Sequence, residues 1–168
     1  MIDADVLATL PLTRPLSPAT QRAMARHSLV CEYAPGTVLW TAGAQIDYLA
    51  VVIDGRVRIA REGLGRQLLV HTEGPGGTLG EVPLFATSPT PVTAVALERT
   101  RCLIITRRAL ESAIALDQQV VWILLRRMAE RVRLLVDRLD HMALHNTRVR
   151  LAPLVVQVAE DVALRATG

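Results

Sequence analysis

The sequence predicts a mainly β protein, a jelly roll (double-stranded β-helix) with flanking helices, followed by one long α-helix. Three observations lead there. Between Leu29 and Thr106 the chain breaks into short β-type runs separated by glycine-bearing turns, and short strands at regular spacing indicate an antiparallel sandwich or barrel, here of about eight strands. After Thr106 the apolar period changes from two to that of a helix. Beyond it, Val121, Leu125, Met128, Val132, Leu135, Leu139 and Met142 follow alternating spacings of four and three, the a/d seam of a helix pair over about three heptads.

Taken in order, the opening MIDADVLATLPL has early acids and no basic stretch, so it does not read as a secretion signal. Ser17-Pro18 starts a helix, with a hydroxyl at the cap and proline where no intrahelical N–H is needed; it is expected to run to about His27. The β-type runs are Val30 to Tyr33, Thr37 to Trp40, Leu49 to Ile53, Arg56 to Arg61, Gln67 to Thr72, Val92 to Leu97 and Arg101 to Thr106. Asp54-Gly55 reads as a hairpin turn, and Glu62 to Arg66 as a reversal with a longer tip. Thr106 can cap a short helix from Arg107 to about Leu116, and Asp117 a longer one. Asn146 interrupts the seam and can cap a further helix from Thr147 to about Leu164, which Pro153 should kink or delay.

Gly74 to Ala94, GPGGTLGEVPLFATSPTPVTA, is where glycines, one carboxylate and a short apolar turn fall together. Gly76, Gly77 and Gly80 permit close approach of main chain, and Val82-Pro83-Leu84-Phe85 after Glu81 reads as the opening of a short helix. A glycine-rich hairpin and a phosphate cradle both fit this spacing, with the hairpin favoured.

Composition bounds the function. The 168 residues suit one domain with an appended helix. Half are hydrophobic and 3% aromatic, so the core is aliphatic. All 19 basic residues are arginine, and the net charge of +3 is spread along the chain, which gives no concentrated nucleic-acid surface. Cys31 and Cys102 form no CxxC or Cys/His group, so no zinc or iron–sulfur site is indicated; both sit in apolar runs where a buried free thiol is the ordinary reading. The apolar run at Val120 to Leu125 spans about six residues, against the ~20 needed to cross a bilayer. His141 and His145 have helical metal spacing without a third ligand, and no metal is expected. Jelly-roll metalloenzymes need clustered His and Glu on neighbouring strands, whereas His71 is the one strand histidine. No Ser/His/Asp set or paired carboxylates with plausible spacing appear either. The chain is not expected to be an enzyme; it reads as cytoplasmic.

With these pieces in order the chain resembles the Crp/Fnr family of bacterial transcription regulators, from about Leu10 to Val162. The likeness rests on Pro35-Gly36-Thr37-Val38-Leu39, Gly43, Ile53-Asp54-Gly55-Arg56-Val57, Pro75-Gly76, Gly80-Glu81, the long helix, and Arg150-Leu151-Ala152 after Asn146. It implies a cyclic-nucleotide-binding-like sensor roll over 1–116, a dimerisation helix over 117–145, and the start of a C-terminal domain over 146–168. The ligand-binding positions it implies are Gly80, Glu81, Val82, Val92, Thr93, Ala94, Leu135 and Val136. The dimerisation positions are those of the seam, Val121 through Met142.

Two departures from the family pattern sharpen the expectation. In nucleotide-binding members an Arg-Ser/Thr-Ala triplet follows the Gly-Glu, with arginine and hydroxyl on the cyclic phosphate and glutamate on the ribose; here the arginine position is Val92. Losing one partner of a buried charge pair costs roughly 2–5 kcal/mol, about 30-fold or more in affinity. Leu135 and Val136 stand where the nucleotide-responsive regulator carries two hydroxyl residues on the base. Cyclic AMP is therefore disfavoured, which leaves the effector unknown, with a small apolar molecule or haem as the remaining occupants; a lone histidine such as His71 is ordinarily structural. The second departure is that Thr147 to Gly168 is too short for a winged helix-turn-helix, so DNA contact is expected only through a C-terminal domain missing from this chain. The resulting expectation is an effector-sensing, homodimeric regulator domain that touches no membrane. The alternative is a stand-alone dimeric interaction module with a vestigial, unliganded roll.

Overall fold

A computed structural model of the chain describes residues 4–63, 66–86 and 88–139. The chain divides into two compact units, Met1–Ile123 and Leu124–Gly168. The first holds helices α1 (Ala4–Thr9) and α2 (Pro18–Ala25), strands β1 (Ser28–Tyr33), β2 (Val38–Trp40), β3 (Tyr48–Asp54), β4 (Val57–Gly63), β5 (Arg66–Glu73) and β6 (Thr78–Leu79), helix α3 (Glu81–Ala86), strands β7 (Thr93–Ala96) and β8 (Thr100–Thr106), and helix α4 (Arg107–Leu116). A long helix α5 follows at 119–139.

The β strands form two four-stranded antiparallel sheets among the described residues, ordered β1-β8-β3-β6 and β2-β7-β4-β5. This is the expected jelly roll with flanking helices. Between the sheets lies a mostly aliphatic interior of Trp40, Ile46, Ala50, Val52, Val57, Ile59, Leu79, Ala94, Cys102 and Ile104, with the Trp40 indole as its aromatic member. Trp40 meets Tyr48 edge-on, ring centroids 6.1 Å apart, the geometry aromatic quadrupoles favour. Side chains alternate across a strand, so Leu49 and Val51 of β3 and Leu103 and Ile105 of β8 point to the other face of the first sheet. All four are fully buried; α2 contacts β1, α4 contacts β8 and α3 contacts β3. Sheet β1-β8-β3-β6 thus serves two cores, which explains why β3 and β8 read as nearly continuous apolar runs rather than alternating ones.

The helix caps fall where the sequence places them. Ser17 Oγ accepts from Thr20 N–H at 3.2 Å, and Thr106 Oγ1 from Ala109 N–H at 3.2 Å. Asp117 Oδ1 accepts from Gln119 N–H at 2.9 Å, at the start of α5. α2 stops at Ala25, slightly short of His27, and Ser28 hydroxyl closes it on the Met24 carbonyl at 2.8 Å. Helix α1 carries too few turns to show a period and was not foreseen; nor was β6, two residues set among glycines.

One expectation is corrected. Asp54-Gly55 does not close a hairpin, because β3 pairs with β6 and β8 whereas β4 pairs with β5 and β7. The turn is instead a corner from one sheet to the other. Gly55 has φ +82°, and a Cβ there would stand 2.5 Å from Thr100 Oγ1 and 2.6 Å from the Arg99 carbonyl oxygen. The buried Thr100 hydroxyl accepts from Arg56 N–H at 3.2 Å and reaches the Glu98 carbonyl at 2.8 Å. Glycine is needed here by both backbone angle and close packing. The reversal from Glu62 to Arg66 does join a paired hairpin, β4 with β5.

On α5 the seam residues Val121, Leu125, Met128, Val132, Leu135 and Leu139 are all exposed; Met142 lies outside the described residues, as do His141, His145 and everything from Asn146 on. Trp122, Leu134 and Val136 are exposed beside the seam, so the apolar stripe is broader than a/d spacing alone suggests.

Arg107 ties three elements of the first unit together. Its backbone N–H donates to the Asp47 carbonyl at 3.2 Å, its Nε to Asp47 Oδ1 at 2.5 Å, and its Nη2 to the Leu84 carbonyl in α3 at 2.7 Å. An arginine in a helix's first turn opposes the helix dipole; here it is recruited to hold α3.

Two outcomes follow from these contacts. Gly36 also has positive φ, +80°, but nothing lies within 4 Å of a Cβ placed there. In urea unfolding Gly36→Ala should cost about 1 kcal/mol from backbone strain, and Gly55→Ala about 3 kcal/mol or more, since overpacking adds to strain; equal losses would contradict the corner's geometry. Arg107→Ala should speed hydrogen exchange at the Leu84 and Phe85 amides about tenfold, equivalent to ~1.4 kcal/mol of local opening, with a smaller change in global stability.

Candidate ligand site of the sensor roll

The stretch from Gly74 to Ala94 begins as a tight turn. Gly77 N–H donates to the Gly74 carbonyl at 2.9 Å, while Gly76 N–H and Gly77 carbonyl exchange bonds with Val52 of β3 at 2.8 and 2.9 Å. The main chain then pairs with Ala50 and Val51 through β6 and turns sharply at Gly80, φ +92°. A Cβ on Gly80 would meet the Tyr48 carbonyl oxygen at 2.7 Å, a contact that cannot give way because it is main chain. That corner delivers Glu81 to the first position of α3, whose Leu84 N–H closes on the Gly80 carbonyl at 3.1 Å.

Glu81 is 7% exposed, and its carboxylate accepts a hydrogen bond from the buried Thr78 hydroxyl. A buried carboxylate needs such a donor because desolvation otherwise opposes its charge. Val82 projects outward and is exposed.

The chain returns to the segment 43–48 just before Val92, Thr93 and Ala94. The loop before them is fastened by Gly43 N–H to the Thr90 carbonyl at 2.7 Å and Thr90 N–H to the Ala44 carbonyl at 2.9 Å. Val92 packs against the roll's apolar interior, and Ala94, fully buried, belongs to it. Thr93 falls on the other face of β7, where its hydroxyl accepts from Ala42 N–H at 3.0 Å. The segment 43–48 thus meets Gly80 at Tyr48 and the Thr90 loop at Gly43 and Ala44, while Val82 is turned outward and the Thr93 hydroxyl is engaged with backbone. Leu135 and Val136 belong to the second unit, where both side chains are exposed.

His71 shares the inner face of β5 with Glu73, opposite Ile59 and Val57. Its Nε2 lies 3.1 Å from Glu73 Oε1, an ion-pair separation without hydrogen-bond alignment. Among the described residues no three His, Cys, Asp or Glu side chains gather as a metal site, and no helix is long and apolar enough to cross a membrane. Sequence reasoning did not find Arg107; its placement at a helix N-terminus, against the dipole, was the available signal.

Comparison with known proteins bears on the fold and family. Residues 30–117 match the family model of the cyclic nucleotide-binding domain. The chain is 26% identical over 157 residues to a CRP-like cAMP-activated global transcriptional regulator of Mycobacterium tuberculosis, covering 93% of this chain and 70% of that one. It is 30% identical over 139 residues to the HTH-type transcriptional regulator Cmr of the same species, covering 83% of this chain but only 57% of the relative. Among solved structures, Thermus thermophilus catabolite activator protein superposes with a TM-score of 0.69 at 27% identity, over 79% of this chain and 63% of that one. These relatives are regulators rather than enzymes. A jelly roll with this turn-to-helix corner, matched over more than half its length by the family model, belongs to the cyclic nucleotide-binding domain family in its Crp/Fnr-type form.

Proposed function

We propose that the chain is the effector-sensing and dimerising part of a cytoplasmic Crp/Fnr-type transcriptional regulator, and that it does not answer to cyclic AMP in the usual way. The observation that carries the second clause is Val92. At the position where nucleotide-binding members of the family hold an arginine, a valine packs into the apolar interior, while the buried Glu81 keeps its carboxylate nearby along the same cassette. A cyclic phosphate entering such a site meets low dielectric without the cation the family uses. Gly80, Glu81, Val92, Thr93 and Ala94 then mark a site retuned toward a small apolar effector; haem is the lesser candidate, since His71 is turned to Glu73. DNA reading is assigned to a C-terminal helix-turn-helix domain outside residues 4–139.

The exposed stripe on α5 supports the dimer. A helix that leaves Leu125, Val132, Leu135 and Leu139 exposed at coiled-coil spacing gains most by burying them against a second copy. An effector would regulate by favouring one arrangement of the paired helices over another. A second reading, a dimeric interaction module with an empty roll, draws on the dense interior, in which Val52, Val57, Ala94 and Cys102 are all fully buried.

Sedimentation at micromolar concentration should show a dimer, and Leu135→Glu with Leu139→Glu should weaken it by about 100-fold or more; a wild-type monomer at that concentration would remove the seam's role. Titration calorimetry with cyclic AMP and cyclic GMP should show no micromolar binding, and Val92→Arg should raise cyclic AMP affinity at least about 30-fold. Micromolar binding by the wild type would refute the reading of Val92. Native mass spectrometry separates the two readings: a co-purified small molecule supports the sensor, an empty roll the module.

A further inference from the structure

The chain's two cysteines, 31 and 102, are far apart in sequence, yet the fold sets them directly opposite each other. In the antiparallel pairing of β1 with β8, Cys31 stands across from Cys102. Directly opposed residues share a face of the sheet, and both thiols pack on the same interior cluster. Both are free. The ladder also fixes the kind of pair. Val52, on the far side of Cys102, spends its N–H and C=O on Gly77 and Gly76, so the alternation of an antiparallel ladder directs the main-chain groups of Cys102 to Cys31. Such pairs have Cα atoms about 5.5 Å apart, within the ~4.4–6.8 Å span of disulfides.

The geometry points to Cys31 and Cys102 as a reversible dithiol–disulfide pair that clips β1 to β8 when the cell meets a hydroperoxide. The two thiols are unequal. Cys31 is half-buried on an edge strand, whereas Cys102 is fully buried and burial pushes its thiol up to about 12. Cys31 is therefore the sulfur that meets the oxidant. As thiolate it attacks one oxygen of hydrogen peroxide; the S–O bond forms, the O–O bond breaks, and hydroxide leaves and takes up a proton to become water. Cys102 sulfur then attacks the Cys31 sulfenic acid, forming the S–S bond and expelling hydroxide, which takes the Cys102 proton to become a second water. Two thiols lose two electrons and one peroxide gains them.

The bond formed is a switch rather than a permanent staple. Opposed Cβ atoms in a ladder lie about 4.5–5.5 Å apart, against about 3.8 Å in a relaxed disulfide. The strands must be drawn together, and strain of that kind makes a disulfide easier to reduce. β1 directly follows α2 and β8 directly precedes α4, so the clip acts on the ladder that carries both helices.

The test is stoichiometric hydrogen peroxide on the native full chain, followed by intact mass and thiol counting. The expected result is a loss of about 2 Da with both thiols gone from a single chain, recovery on adding dithiothreitol, and a higher melting temperature in the oxidised form. Cys31→Ser should leave Cys102 reduced, and Cys102→Ala should carry Cys31 onward to sulfinic acid, a gain of about 32 Da. The wild type gaining about 32 Da with Cys102 still free, a disulfide linking two chains, or two thiols untouched by peroxide in the folded protein would each overturn the pairing.

Discussion

At Gly80 the main chain passes so close to β3 that a Cβ would stand 2.7 Å from the Tyr48 carbonyl oxygen. Nothing on either side can relax, since both partners are backbone, and the positive φ of +92° excludes most side chains independently. From this approach the rest of the cassette follows. It lets β6 end after two residues, swings the chain into α3 and delivers Glu81 to a buried position beside the Thr78 hydroxyl. The same segment of main chain, 43–48, anchors the Thr90 loop on its other flank. One stretch of main chain thereby contacts both the Gly80 corner and the loop that leads into Val92.

A single apolar residue, Val92, changes the reading of this cassette. A buried carboxylate is tolerated where donors surround it, and Thr78 supplies one for Glu81. An arriving phosphate is another matter, because its charge would add to that of Glu81 in the same low-dielectric space. With Val92 committed to the apolar interior and the Thr93 hydroxyl committed to Ala42 N–H, the two side chains that the family resemblance nominates for phosphate are both already engaged. On the proposed reading the cassette keeps its architecture while Val92 changes its polarity.

The strands were legible in the sequence because alternation and turn residues are local signals, and the helix caps Ser17, Thr106 and Asp117 were legible for the same reason. What was not legible depended on pairing. Asp54-Gly55 has hairpin chemistry, but a sheet-to-sheet corner asks for the same residues, and only the partners of β3 and β4 distinguish the two. The opposition of Cys31 and Cys102 is a matter of register across most of the roll, which no window of sequence contains. Of the candidate site, Gly80, Glu81 and Val92 could be placed by motif, while the role of Arg107 required the Leu84 carbonyl to be brought beside it. Val82 matched the motif by position and still faces outward.

The strand best placed to carry a change out of the roll is β8. Cys102 and Ile104 face the interior, and Leu103 and Ile105, the alternate residues, face the other side of the sheet, all four buried. Interiors are packed densely enough that displacement on one face of such a strand is felt on the other. β8 also runs without a loop into α4, and at that joint the Thr106 hydroxyl bonds the His27 carbonyl at 2.8 Å while capping α4. Arg107, the next residue, grips α3. The cassette helix and the α4 start are thus held by consecutive residues at the end of one strand. A ligand that moved α3, or a covalent bond that moved β1 against β8, would act on the same two residues.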